Sequence, residues 1–229
     1  MSAGEVGLLI LLGAVAFLDQ WPAVQTMASR PLVTGTLAGW VLGAPGEGAL
    51  WGAVFEAVYL GMLPIGAARY PDAGLAGLVG TAVALEGESA GVAPAGLAVA
   101  AGALAGLLGD RVSGFHRRWN GRTAARVRER VSAGDPSAIG RGIAGALARG
   151  AVLGAAAAAV ALAIGLAGLT ALTGTPWSGP LPIAWVRLAG VAAAAVAGLA
   201  LFARAERGLV ALGAGAACGA ALARLAGAP

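Results

Sequence analysis

Hydrophobic residues run along this chain in long blocks that only a few charged positions interrupt. Four blocks reach about 20 residues, enough to cross ~30 Å of hydrocarbon as a helix: 89–109, 150–172, 182–202 and 208–226. Three shorter blocks end at prolines, glycines or carboxylates: 6–18, 31–44 and 73–85. The pattern predicts an all-α polytopic membrane protein with several transmembrane helices and additional short re-entrant or broken helices. Ordinary, poorly delimited helices in a glycine-rich chain would give the same short blocks.

One further block, 48–68, carries the carboxylate of Glu56 near its centre. Residues 56–75 read "EAVYLGMLPIGAARYPDAGL". We expect a long helix bearing Glu56, a break at Pro64–Gly66 and a half-helix that starts at Asp72. Broken helices of this kind direct unpaired backbone N–H and C=O groups towards a ligand in transporters.

Composition strengthens the membrane prediction. Hydrophobic residues make up 59% of the 229 positions, charged residues only 11%, and the mean hydropathy is +0.82. A soluble domain of this length could not bury so much apolar surface. The N-terminal block has no basic flank, so we interpret it as a retained first membrane segment rather than a signal peptide.

Charge divides the chain into three parts. Residues 1–109 hold two arginines and seven carboxylates, and we expect this part to be the substrate-site half with the broken helices. Residues 110–149 hold nine arginines and three carboxylates, which predicts a basic cytoplasmic loop in a bacterial inner-membrane protein. Residues 150–229 are predicted to form C-terminal transmembrane helices whose small residues allow close contact.

Catalytic and metal chemistry finds little support in the sequence. Cys218 and His116 are the single residues of their types, which excludes a histidine-based catalytic site or a cysteine–histidine metal cage. We therefore expect no catalytic residue, no metal and no cofactor. We expect His116, within "GFHRRWNGR", to be solvated, and the arginines around it to set topology rather than bind nucleic acid.

Glu56 is the sharpest candidate for ligand contact, because a carboxylate within a membrane segment is costly and usually faces a cavity. An ion pair with Arg30 or Arg69 is the alternative. Asp72 is positioned to cap a half-helix, where a sugar hydroxyl could also dock. Arg30 is either an interfacial anchor or a carboxylate partner. Vicinal sugar hydroxyls suit such carboxylates, although this signal is weakly specific.

The ordered series of motifs over residues 17–84 resembles the membrane IIC component of the mannose/fructose/sorbose-type phosphoenolpyruvate-dependent sugar phosphotransferase systems (PTS). The series comprises "LD" at the end of the first block, "RPLV", "G…E…LG", "PIGAA" and "PDA". The basic segment, with "R..NG..A", is also similar to the central region of that family. Beyond about residue 150 only the hydrophobicity is similar.

This resemblance implies a translocation subunit with an elevator-type fold that binds a hexose. It implies a IID membrane partner, a trimeric assembly of IIC–IID pairs, and a cytoplasmic phospho-IIB that receives its phosphate from IIA. Carried over by position, the residues that would line the sugar site are Glu56, Gly66, Ala67, Ala68 and Asp72, followed by Asp19, Gln25 and Arg30.

Two other functions remain open from the sequence. A non-transporting interaction or regulatory protein of this family would use the basic segment for docking. A small-solute carrier would act alone, without partner subunits.

Overall fold

The computed structural model describes residues 1–20, 25–60, 70–90 and 95–172, and within these ranges the chain is helical throughout, apart from short connections. The helices are α1 (Ala3–Gln20), α2 (Pro31–Val41), α3 (Pro45–Tyr59), α4 (Ala73–Ser89), α5 (Ala95–Ser132) and α6 (Ser137–Leu172). Three of them, α1, α5 and α6, are long and apolar enough to cross a membrane. The spans expected at 182–202 and 208–226 lie outside the described residues.

Helix α4 forms the centre of the described bundle and contacts each of the other five helices. Thirteen of its 17 residues are buried. Its sequence, "AGLAGLVGTAVALEGES", is apolar on every face up to Leu85, and a helix that is hydrophobic all round is stable only when it is surrounded. The short block predicted at 73–85 is therefore a buried helix of about 25 Å, too short to span a bilayer comfortably.

Helices α2 and α3 form a tight antiparallel hairpin. Prolines occupy the first helical positions, where the missing N–H costs nothing, and Gly43 takes a left-handed φ of 76° between the two helices. Two Gly-xxx-Gly pairs face each other, Gly35 and Gly39 on α2 with Gly48 and Gly52 on α3. A Cβ on Gly35 would lie 2.5 Å from the Cα of Gly52, so the two backbones touch directly.

The basic segment is helical over most of its length. Helix α5 continues without interruption to Ser132, a turn with Gly134 at φ 93° follows, and α6 returns along α5. The expectation that His116 is solvated is wrong: the residue is 3% exposed, and its Nε2 donates to the Ala146 carbonyl at 3.0 Å. The reason is that α6 and Phe17 of α1 cover this face of α5, with the Phe17 and His116 rings 5.9 Å apart.

Candidate functional site

Asp19 closes the connection between α1 and α2. Its Oδ1 accepts hydrogen bonds from the backbone N–H and the hydroxyl of Thr26, both at 2.6 Å, and its Oδ2 accepts from the Ser29 N–H at 2.9 Å. The residue is only 8% exposed. A buried carboxylate is tolerated here because three donors satisfy it. Asp19 therefore fixes the turn that delivers the chain to the start of α2.

Glu56 lies at the N-terminus of α2, where backbone N–H groups need an acceptor. Its Oε1 accepts a hydrogen bond from Arg30 Nη2 in an ion pair, and its Oε2 accepts from the Leu32 N–H at 3.3 Å. Arg30 is the N-cap residue of α2, and its own side chain makes no capping bond. Glu56 thus supplies from α3 the negative charge and the acceptor that this helix start favours.

The glycine pairs explain why Glu56 reaches this position. Gly48, Gly52 and Glu56 follow one another at spacings of four, so they share one face of α3. A Cβ on Gly52 would lie 2.8 Å from the Pro31 carbonyl oxygen, which shows that this face runs along the start of α2. The hairpin therefore places Glu56, the next residue on this face, beside the N-terminus of α2.

Asp72 caps α4, as its position before the short block predicted. Its Oδ1 accepts from the Leu75 N–H at 2.9 Å, and its own N–H donates to the Gly106 carbonyl on α5 at 2.8 Å. The residue is 1% exposed, and its side chain packs on Gly109, where a Cβ would lie 3.0 Å from the Asp72 Cγ. Asp72 therefore ties the start of α4 to α5.

The start of α4 also packs against the start of α2. Thr34 Oγ1 of α2 donates to the Gly74 carbonyl at 2.9 Å, and Gly74 lies against the Ser29 backbone. The carboxylates of Asp19, Glu56 and Asp72 consequently gather at one end of these short helices. They do not form one cluster, because the Asp72 side chain packs on α5 whereas Glu56 faces α2.

The remaining candidate residues either lie apart from these contacts or fall outside the described residues. Gln25 is exposed, with a left-handed φ of 54°, and lies outside the Asp19 and Glu56 hydrogen bonds. Gly66, Ala67 and Ala68 lie outside the described residues, as does Arg69, the alternative partner for Glu56. Three residues not singled out from the sequence contribute: Thr26 and Ser29 hold Asp19, and the buried Tyr59 brings its hydroxyl against Gly106 beside Asp72.

Metal binding finds no support in the part of the chain that the structure describes, since no group of three or more His, Cys, Asp or Glu side chains there could hold an ion. What the site does contain is a half-buried carboxylate and guanidinium at a helix start. The Glu56 side chain is 21% exposed and the Arg30 side chain 41%. Glu56 can accept, and Arg30 can donate, further hydrogen bonds with a polar ligand.

Comparison with known protein families identifies the family to which the chain belongs. The family described as PTS system sorbose-specific IIC component matches residues 4–174, about three quarters of the sequence. The chain belongs to this family. IIC components are membrane-embedded transport subunits of the bacterial inner membrane, not catalysts, and the three long apolar helices agree with this membership.

Individual relatives are similar only over part of their length. A putative N-acetylgalactosamine permease IIC component 2 of Escherichia coli K12 is 38% identical over 86 residues, 35% of this chain and 64% of that protein. The mannose-specific EIIC component of the same strain is 42% identical over 76 residues, 32% of this chain and 29% of that protein. A sorbose-specific EIIC component of Lacticaseibacillus casei is 34% identical over 76 residues, 30% of this chain and 27% of that protein. The chain thus matches less than two thirds of each relative.

A solved structure described as a membrane protein has the same fold. The TM-score is 0.70 at 22% sequence identity, with 95% of this chain and 87% of the other chain covered. The likeness extends well beyond residues 17–84, where the sequence motifs lie.

Proposed function

We propose that this IIC-family chain is the sugar-translocating subunit of a phosphotransferase system of the mannose/fructose/sorbose type. It binds a hexose in the membrane together with a IID subunit, and a cytoplasmic phospho-IIB, supplied by IIA, phosphorylates the sugar. The observation that carries the proposal is the half-buried Glu56 carboxylate, which the glycine hairpin holds at the start of α2 beside Arg30.

Sugar recognition requires acceptors and donors side by side, because each hydroxyl is both a donor and an acceptor. Glu56 offers carboxylate oxygens, and Arg30 offers guanidinium N–H groups beyond the one that it gives to Glu56. Asp19 stabilises the site indirectly, because its hydrogen bonds hold the turn that precedes Arg30. Asp72 and Gln25 are further residues of the proposed sugar site, as are Gly66, Ala67 and Ala68, which lie outside the described residues.

The proposed transport movement is of the elevator type. The substrate-site half, residues 1–109, would move together with the parts of α5 and α6 that pack on it, against a scaffold supplied by the rest of a trimer of IIC–IID pairs. The arginine-rich α5–α6 hairpin would then project into the cytoplasm, in keeping with the tendency of arginine to remain on that side.

The test uses the IIC–IID complex reconstituted in vesicles with radiolabelled hexoses, beginning with the mannose, sorbose and N-acetylgalactosamine of the relatives' names. We expect Glu56→Gln and Asp72→Asn to abolish sugar binding while insertion and assembly with IID persist. Glu47→Gln is the matched control, because Glu47 is an exposed carboxylate at the other end of α3. Wild-type binding by Glu56→Gln would remove Glu56 from the site.

The same vesicles separate the other two functions. Uptake by the chain without IID, IIB or phosphoenolpyruvate would indicate a solitary carrier. Recruitment of partner proteins by the complex without uptake of any of these sugars would indicate an interaction or regulatory protein.

A further inference from the structure

A cavity of about 440 Å³ opens between the extended parts of α5 and α6. Its polar lining includes Arg149, Asn120 and Thr123, with Arg128 at its exposed side, and carboxylates are absent from its described lining. The remaining wall is largely apolar and consists of Ala124, Val127, Val131, Ile139, Ile143 and Ala146. The cavity therefore combines positive charge with an apolar wall, which suits an amphiphilic anion.

Arg149 is only partly satisfied by its neighbours. Its Nη2 donates to Asn120 Oδ1 at 3.1 Å and reaches Thr123 Oγ1 at 3.5 Å, and the guanidinium lies 5.6 Å from the centre of the Trp119 ring. Its Nε is buried and has no acceptor. All of these neighbours are neutral, and in the described part of the chain no carboxylate forms an ion pair with Arg149.

Arg149 is partly buried, and a charge that is partly removed from water without a counter-ion is costly. Elsewhere in the described chain, Arg30 and Arg141 have carboxylate partners, Glu56 and Asp135 respectively. Arg149 lines the open cavity and its buried Nε–H has no acceptor, so a small turn of the side chain would offer this edge of the guanidinium for a two-pronged contact. Phosphate oxygens match that edge in geometry and charge.

Two exposed aromatic side chains indicate where α5 would leave the membrane. Phe115 and Trp119 are 45% and 44% exposed and form an edge-to-face pair with centroids 5.4 Å apart. Exposed aromatic side chains followed by arginines, here Arg117 and Arg118, are typical of the boundary between hydrocarbon and water. From Ala95 to Phe115, α5 rises about 30 Å, one hydrocarbon thickness. Arg149, which lies over Trp119, is then level with phospholipid headgroups.

We propose that Arg149, assisted by Asn120 and Thr123, binds a phosphate group that serves as its missing counter-ion. Two molecules could supply this chemistry, the headgroup of an anionic phospholipid or a soluble phosphate compound. The interfacial height favours the phospholipid, since basic pockets between helices at this surface suit anionic headgroups.

The experiment measures phosphate ligands on the purified full chain. Native mass spectrometry reports retention of added phosphatidylglycerol against phosphatidylcholine, and thermal unfolding in detergent reports the response to inorganic phosphate and to a hexose 6-phosphate. We expect Arg149→Gln to lower phosphatidylglycerol retention about tenfold or more, the effect of losing a charge-assisted contact. Arg126→Gln is the control, because Arg126 is exposed and does not line the cavity.

The outcomes separate the two sources. One outcome is that soluble phosphate raises the unfolding midpoint of the wild-type chain but not of Arg149→Gln, while the two lipids bind alike. That result would support a phosphate site at Arg149 whose ligand is a soluble compound rather than a lipid. Equal lipid retention and equal phosphate response in the wild-type chain and Arg149→Gln would overturn the proposal, as would failure of the wild-type chain to bind either probe.

A second variant tests the proposal independently of whether Arg149→Gln folds. Asn120→Asp places a carboxylate where the Asn120 amide oxygen already contacts Arg149. This internal counter-ion should displace the phosphate while it raises the unfolding midpoint. Phosphatidylglycerol or phosphate binding at wild-type strength in Asn120→Asp would contradict an ionic site at Arg149.

Discussion

Gly48 of α3 packs its backbone directly on Gly39 of α2, so that a Cβ on Gly48 would lie 2.6 Å from the Cα of Gly39. This contact and its neighbour at Gly35 and Gly52 set the register of the hairpin. The register in turn brings Glu56 to Arg30 and to the start of α2. The position of the proposed sugar ligand therefore depends on four residues that have no side chains.

The first prediction concerns the hairpin contact. Gly48→Ala should destabilise the chain by about 1–3 kcal/mol, because the added methyl group meets backbone atoms that cannot move aside. Gly46→Ala is the matched control: it lies two residues away on α3, and nothing lies within 4 Å of its Cβ position. Thermal unfolding of both variants in the same detergent provides the comparison. Equal midpoints for the two variants would contradict the backbone contact.

The second prediction separates the two roles of Glu56. The Arg30 side chain is 41% exposed, so the ion pair should contribute no more than about 1 kcal/mol to stability. If Glu56 binds sugar, Glu56→Gln should abolish binding, whereas Arg30→Gln should weaken it and leave the unfolding midpoint nearly unchanged. Equilibrium binding of labelled sugar and thermal unfolding measure these effects. Wild-type sugar affinity in both variants would instead assign Glu56 a purely structural role.

The third prediction concerns the contact between Asp72 and α5. A Cβ on Gly109 would overlap the Asp72 side chain, so Gly109→Ala should displace the cap of α4 and cost about 1–3 kcal/mol. Gly121→Ala, farther along the same helix, has open space around the new methyl group and should gain up to about 1 kcal/mol from helix propensity. Denaturant unfolding followed by circular dichroism distinguishes the two. A stabilising effect of Gly109→Ala would show that Asp72 does not pack there.

The fourth prediction is a pH dependence at the tip of the α5–α6 hairpin. The Ser137 hydroxyl, with Arg141, lowers the pKa of Asp135 below its usual range, through contacts of 2.5 Å to each carboxylate oxygen. A lowered pKa in the folded state means that the stabilisation is complete above the unfolded value of about 4 and is lost as the pH falls further. The start of α6 should therefore loosen in acid.

Amide hydrogen exchange over residues 135–141, corrected for the intrinsic effect of pH, measures this loosening. Exchange should accelerate in the wild-type chain below about pH 4. In Asp135→Asn it should be faster already at neutral pH and show no such step. A wild-type chain whose exchange at the tip is unchanged in acid would refute the role of the ionised carboxylate.

Local signals in the sequence predicted a large part of the short-helix region. Pro31 marks a helix start, and Asp72 before an apolar block predicts a cap, because both effects act within one turn of helix. The short length of the block 73–85 likewise predicted a short helix, whereas its burial on nearly every face emerged only from the structure. That the nearby carboxylates and Arg30 bind sugar stays a prediction.

Long-range packing accounts for what the sequence did not predict. An arginine-rich segment has the same composition whether it is a solvated loop or a helix with an arginine surface, and the burial of His116 depends on the return of α6 and on Phe17. The choice between Arg30 and Arg69 as the partner of Glu56 depends on which helix pairs with α3. The facing Gly-xxx-Gly pairs were the signal that would have indicated α2.

Glycine is the smallest residue, so every replacement at Gly35, Gly39, Gly48 or Gly52 adds at least one carbon where two backbones already touch. Exposed positions such as Leu32 or Val58 can exchange one apolar side chain for another at little cost. No amino-acid replacement at these four glycines is comparably neutral. Amino-acid substitutions should therefore be tolerated at most exposed apolar positions. They should be excluded along the line of glycines in the hairpin, which ends at Glu56.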